Sequence, residues 1–149
     1  MSDFETKNPA YEMRVQASFG RQQAMALLGA KITRIAPGQC EIQLPFRPEI
    51  TQQHGYFHGG IIGTIADSAG GYAAFTLMPE DSSVLTVEYK MNLLAPGDGE
   101  LLIARGRVLK SGRTLVVAQV DAFVVKDGRE TICATLLETL MTMHGRPDT

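Results

Sequence analysis

The chain has 149 residues, 44% of them hydrophobic and 20% charged, with a formal net charge of -2. That length and balance fit one globular domain with a real core, and the charge excludes a nucleic-acid role driven by a basic surface. Cys40 and Cys133 stand far apart in no metal or redox spacing. They read as buried small hydrophobes in a reducing compartment, which with the absence of a leader predicts a cytoplasmic protein.

Met1 to Pro9 is polar and carries Asp3 and Glu5. It has no apolar core of the signal-peptide kind and is expected to be disordered. Ala10 to Leu28 has helical periodicity, with a break near Gly20, and Met13, Ala17, Ala24, Leu27 and Leu28 form its expected packed face. Gly29 ends it. Lys31 to Ala36 and Gln39 to Phe46 read as strands around a Pro37-Gly38 turn, and Arg47 to Phe57 as a loop. A central helix follows from His58 to about Leu77, with Pro79 beyond its end.

Four strands complete the chain. Ser83 to Leu94 is the first, stopped by Pro96-Gly97-Asp98-Gly99, and Glu100 to Lys110 the second. After a Ser111-Gly112 turn, Val116, Ala118, Val120, Ala122 and Val124 alternate with Val117, Gln119, Asp121 and Phe123 in a period of two. Asp127-Gly128 is a hairpin signal before Thr131 to Met143. There is no internal repeat or linker, so residues 1–149 are read as one domain.

From Ile61 to Met78 the sequence is apolar or small, with Asp67 as its one charge. Its Gly, Ala, Ser and Thr content, the mid-run Asp67 and the lack of flanking Lys/Arg anchors argue against a membrane span. A helix apolar on all sides needs cover on all sides. A curved antiparallel sheet supplies most of that cover, and a second subunit can supply the rest. A carboxylate in such a setting must be satisfied or used. Ahead of it, His58-Gly59-Gly60 opens the helix with bare amides, placed where the helix dipole favours a developing negative charge. Amide donors and an acid are what acyl transfer needs. Taken alone, Asp67 can also be a carboxylate capped by backbone or Ser68, and the glycines can serve close helix packing.

The element order and these residues resemble the α+β hotdog fold, a curved antiparallel sheet wrapped around a long central helix. The likeness is closest to acyl-CoA thioesterases of the phenylacetic-acid-degradation (PaaI) type and covers roughly Phe19 to Met143. It is carried by Gln52-Gln53-His54-Gly55-Tyr56-Phe57-His58-Gly59-Gly60, by Asp67 nine residues beyond His58, by Thr86 to Pro96, and by Val108 to Leu115. The resemblance implies hydrolysis of an acyl-CoA thioester. Asp67 would be the general base or nucleophile, the Gly59 N–H the donor to the thioester carbonyl, and Thr86 the positioner of water. Gln52 stands where the family often has Asn. His58 and Gly60 would order the substrate loop.

Lys110 and Arg113, flanking a tight turn, are the best candidates for the anionic coenzyme A, ahead of Lys90, Arg105 and Arg107; each can equally belong to a solvated strand face. Tyr72 and Met91, with Phe75 and Met78, either line an acyl pocket or belong to the core. No metal or cofactor is expected. Gly59 and Asp67 would lie ~12 Å apart along one helix, whereas a carbonyl and its attacking water span only about 3 Å. Two helices from a homodimer can pair Gly59 of one chain with Asp67 of the other, as the family resemblance also implies; a dimer of dimers, a homotetramer, is the expected assembly, with the lone dimer as the alternative. A hotdog enoyl-thioester hydratase or dehydratase, pairing His54 with Asp67, and a non-catalytic acyl-CoA sensor are the alternative readings.

Overall fold

The computed structural model describes residues 3–149. Two short helices, α1 (Tyr11–Gly20) and α2 (Gln23–Leu28), precede a hairpin of β1 (Lys31–Ala36) and β2 (Gln39–Pro45). A single 3-10 turn at Pro48–Ile50 leads to the central helix α3 (Gly59–Phe75). The strands β3 (Ser82–Leu93), β4 (Leu101–Ser111), β5 (Leu115–Lys126) and β6 (Arg129–His144) follow. All six strands form one antiparallel sheet in the order β1-β2-β4-β5-β6-β3. This is the α+β hotdog architecture, a curved sheet wrapped around one long helix.

The period of two in β5 puts Val116, Ala118, Val120, Ala122 and Val124 inward, all buried against α3. Asp127 (φ 51°) and Gly128 (φ 75°) make the β5–β6 hairpin turn, where both central residues need the left-handed region. Gly106 on β4 lets the sheet close on the helix: a Cβ there would stand 2.5 Å from the Ala69 carbonyl oxygen. From Ile62 to Phe75 almost every residue of α3 is buried. No helix among the described residues is long and apolar enough to cross a membrane.

The N-terminal region departs from expectation. The helical stretch is interrupted at Arg21-Gln22, and Gly29 (φ 82°) ends α2 as predicted. Met13 and Leu27, however, are 71% and 77% exposed, Ala17 and Ala24 are also exposed, and Val15 and Met25 are the buried anchors. The inward face is set by Arg14, whose guanidinium donates to the carbonyls of Phe75, Met78, Pro79 and Glu80 at 2.6–3.2 Å. It also lies over the Phe75 ring, 3.9 Å from its centroid. A cation there satisfies carbonyls that the helix end leaves bare. Nor is the segment before α1 loose over residues 3–9. Asn8 is buried and accepts from the Ala10 N–H at 2.9 Å, and Thr6 Oγ1 donates to the Thr76 carbonyl at 2.8 Å. These polar side chains are used as caps and ties. Met1 and Ser2 lie outside the described residues.

At the opposite edge of the sheet, β3 is covered on one side only. Leu85, Val87, Tyr89 and Leu93 are 47–58% exposed. Its register with β6 shifts between Thr86 and Glu88, a bulge at Val87.

Candidate active site

α3 begins where His58 leaves the extended backbone region. Its Nδ1 accepts the Gly60 N–H at 2.9 Å and so caps the first turn. Used as an acceptor, Nδ1 leaves the ring proton to Nε2. The His58 carbonyl takes the N–H groups of Ile61 and Ile62. Among the described residues the Gly59 N–H has no acceptor. It stands at the positive end of the helix dipole. A side chain at Gly59 would meet Leu93 Cδ1 at 3.0 Å.

The loop before the helix is folded by Gln52, whose Oε1 accepts the N–H groups of His54 and Tyr56. Gln52, Tyr56 and Gly59 line an open cleft with Leu93, Ala95 and Pro96. His54 is exposed on the loop and lines neither this cleft nor the one at Asp67.

Asp67 lies two turns further along α3, half-buried. Thr86 Oγ1 on β3 donates to its Oδ1 at 2.6 Å. Both line a second cleft with Ser68 and Tyr72 of α3, Val84 and Leu85 of β3, and Ser18, Arg21 and Gln22 from the N-terminal helices. Arg21 is paired with Asp148 across the rim. Tyr72 is fixed by its hydroxyl, 3.1 Å from Ser18 Oγ and 2.9 Å from Gln22 Nε2, and burial raises its pKa. Met91 sits between the two clefts, its Cε 3.4 Å from where a Cβ on Gly63 would be. Phe75 and Met78 are core.

Gly59 and Asp67 thus belong to separate clefts at the two ends of β3. Lys110 and Arg113 are exposed at the β4–β5 hairpin and line neither cleft. Arg105 is committed to Glu41 and Glu130 in ion pairs of 2.8 Å, Arg107 to Gln119, and Lys90 to Asn92. Cys40 and Cys133 are buried free thiols, pushed up by burial to about 12 and about 11. Among the described residues no cluster of His, Cys, Asp and Glu has metal-binding geometry.

One residue near Asp67 escaped the sequence reading. Glu138 on β6 is 1% exposed, faces α3, and couples electrostatically to Asp67. The signal was present: the alternation that turns Ala134, Leu136 and Leu140 inward also turns Glu138 inward.

Residues 54–131 match the model of the thioesterase superfamily. A solved thioesterase family protein from Silicibacter pomeroyi is 49% identical, with a TM-score of 0.90 over 91% of this chain and 99% of that one. A 1,4-dihydroxy-2-naphthoyl-CoA hydrolase of Listeria monocytogenes is 26% identical over 62% of this chain and 76% of its own length. The PaaI protein of the E. coli phenylacetic acid degradation operon has a TM-score of 0.83 over 95% and 99% of the two chains. At 17% identity that last likeness is one of fold. By the family match and the Silicibacter relative, this chain belongs to the thioesterase superfamily and is a thioester hydrolase with the hotdog fold.

Proposed function

We propose that the protein hydrolyses acyl-CoA thioesters at sites shared between two chains of a homodimer. The observation that carries this is the Asp67 carboxylate, held by Thr86 at 2.6 Å on the wall of an open cleft that lacks a Gly59 amide. The missing donor lies at the far end of β3, in a cleft that lacks a carboxylate. Between them runs the exposed edge strand, whose apolar side chains suit a second copy. A two-fold axis across β3 sets the Gly59 cleft of one chain against the Asp67 cleft of its partner and makes two equivalent sites. Pairing of such dimers gives the tetramer.

In this site Asp67 takes a proton from water, and the resulting hydroxide attacks the thioester carbonyl carbon. Negative charge gathers on the carbonyl oxygen, which the Gly59 N–H and the helix dipole stabilise; one such donor is worth about 3 kcal/mol of barrier. The carbon–sulfur bond then breaks. The departing thiolate recovers the proton from Asp67, leaving free acid and coenzyme A thiol. Attack by Asp67 itself, through a mixed anhydride, reaches the same products. Thr86 aims the carboxylate, while Gln52, His58 and Gly60 hold the amide in place. Tyr72 and Met91 bound the acyl group. Lys110 and Arg113, exposed and without an ion pair among the described residues, take the coenzyme A phosphates. A cytoplasmic setting suits the two free thiols, and the reaction as drawn needs no cofactor.

The test is thiol release from short, medium, long and aromatic acyl-CoAs, with Asp67→Asn beside the wild type. Release that vanishes in the variant supports the reading. Unchanged release refutes the role of Asp67. Binding without release from any substrate favours the sensor. For the shared site, mixed dimers of an Asp67→Asn chain with a chain blocked at Gly59 keep one working site; fully dead hybrids would sink the model.

A further inference from the structure

Glu138 occupies an inward position of β6 between Leu136 and Leu140, in register with Ala118 on β5 and Tyr89 on β3. Its carboxyl fills the space that the missing side chain of Gly70 leaves on α3; a methyl group on Gly70 would overlap it. Both carboxyl oxygens are sealed from solvent and have no hydrogen-bond donor. Asp67 stands one turn before Gly70 on the same side of α3, so the carboxyl set into the Gly70 space is brought toward it, and Asp67 is the charge that acts on it. Around this pair, Thr86 donates to Asp67 from β3 and Tyr89 stands in register on the same strand. The paired Arg21 and Asp148 lie on the solvent rim of the cleft. On β4 and β5 the charges Arg105 and Asp121 belong to a pocket on the opposite face of the sheet. No cation stands among the groups that couple to Glu138.

Two carboxylates in this position have nothing to donate to each other, and Glu138 has lost its solvation as well. One proton removes the conflict, because a neutral carboxylic acid is a strong donor to its ionised neighbour. We propose that Glu138 is a positioning residue for Asp67: as the neutral acid it donates a hydrogen bond to the Asp67 carboxylate, beside the one from Thr86, and so holds the base ionised and aimed into the cleft. This rests on Asp67 being the base. Burial, then the contact with Asp67, pushes the Glu138 carboxyl up to about 10, so it carries its proton at neutral pH.

The experiment compares Glu138→Met, Glu138→Gln and Asp67→Asn in the thiol-release assay, with kcat and KM measured across the acid-to-neutral range. Met keeps the bulk and removes the donor; Gln keeps a donor that cannot titrate. In Glu138→Met, kcat is expected to fall by roughly 10- to 100-fold with KM little changed, and the acidic limb of the profile to move to higher pH. Glu138→Gln recovers most of the rate and the wild-type limb. An unmoved limb and rate in Glu138→Met overturns the proposal, and a limb moved to lower pH means that Glu138 is a repelling anion, which also overturns it.

Should Glu138→Met not fold, infrared spectroscopy decides. The wild type at neutral pH shows the carbonyl stretch of a buried protonated carboxyl, lost in Glu138→Gln and displaced in Asp67→Asn; its absence from the wild type overturns the proposal. An inactive Asp67→Asn beside an unaffected Glu138→Met removes the role of Glu138 alone, whereas an active Asp67→Asn removes the base and this proposal together.

Discussion

At its first turn α3 leaves the Gly59 N–H bare beside an open cleft, while at its other end Arg14 grips the carbonyl of its last residue, Phe75, and three carbonyls of the segment just beyond, and covers the Phe75 ring. One end of the helix is arranged to meet a ligand and the other is closed by the chain itself. The same division runs along its length. Asp67, near the middle, looks to a cleft through Thr86 and to the core through Glu138. Substitutions at the first-turn side should therefore change rate with little change in stability, and those at the end held by Arg14 the reverse. A helix whose two ends answered alike would break this view.

The largest effect is expected from Asp67→Asn. Turnover should fall by about a thousandfold or more in thiol-release assays, with the thermal unfolding midpoint within a few degrees of wild type. Next comes the pH dependence of stability. Glu138 is protonated up to about 10 in the folded chain but titrates in the ordinary carboxylate range once unfolded. The folded state then holds the extra proton, so wild-type stability falls as pH rises through that window and is unaffected below it. Glu138→Gln should remove the slope and add up to about 3 kcal/mol at neutral pH, read by denaturant titration at acid and neutral pH. Arg14→Ala should cost about 2 kcal/mol and leave kcat nearly unchanged; a large loss of kcat with normal stability would contradict the division. The smallest effect is expected at Gly59→Ala. Its methyl crowds Leu93, an exposed side chain able to give way, so kcat/KM should fall about tenfold with stability unaltered.

Local chemistry made much of this legible in the sequence. Alternation in β5, the Asp127-Gly128 turn, Pro37-Gly38 and the apolar run around Asp67 fix elements through neighbours a few residues apart, and each lies where it was expected. The misses share a different cause. Arg14 is held by carbonyls 61 to 66 positions away, and that partnership turned α1 so that Val15 went in and Met13 out. The break expected near Gly20 lies at Arg21-Gln22, but the expected packed face was carried as a single face across it. The partnership of Asp67 with Glu138 joins residues far apart in the chain, and periodicity reports only that Glu138 faces inward, not what it meets there. Gln52, at the position where the family often has Asn, lies in the cleft of Gly59 with its oxygen taken by the loop amides of His54 and Tyr56, a pairing that residue type alone does not reveal.

The exposed β3 edge has a consequence for handling this protein. Its outer backbone groups have no strand beside them, four large apolar side chains line it, and Glu88 and Lys90 are the charges that interrupt it. An edge of that kind templates indiscriminate strand addition. Variants that weaken pairing there should precipitate on concentration rather than persist as soluble monomers, so recovery in the soluble fraction will report the loss before sedimentation does.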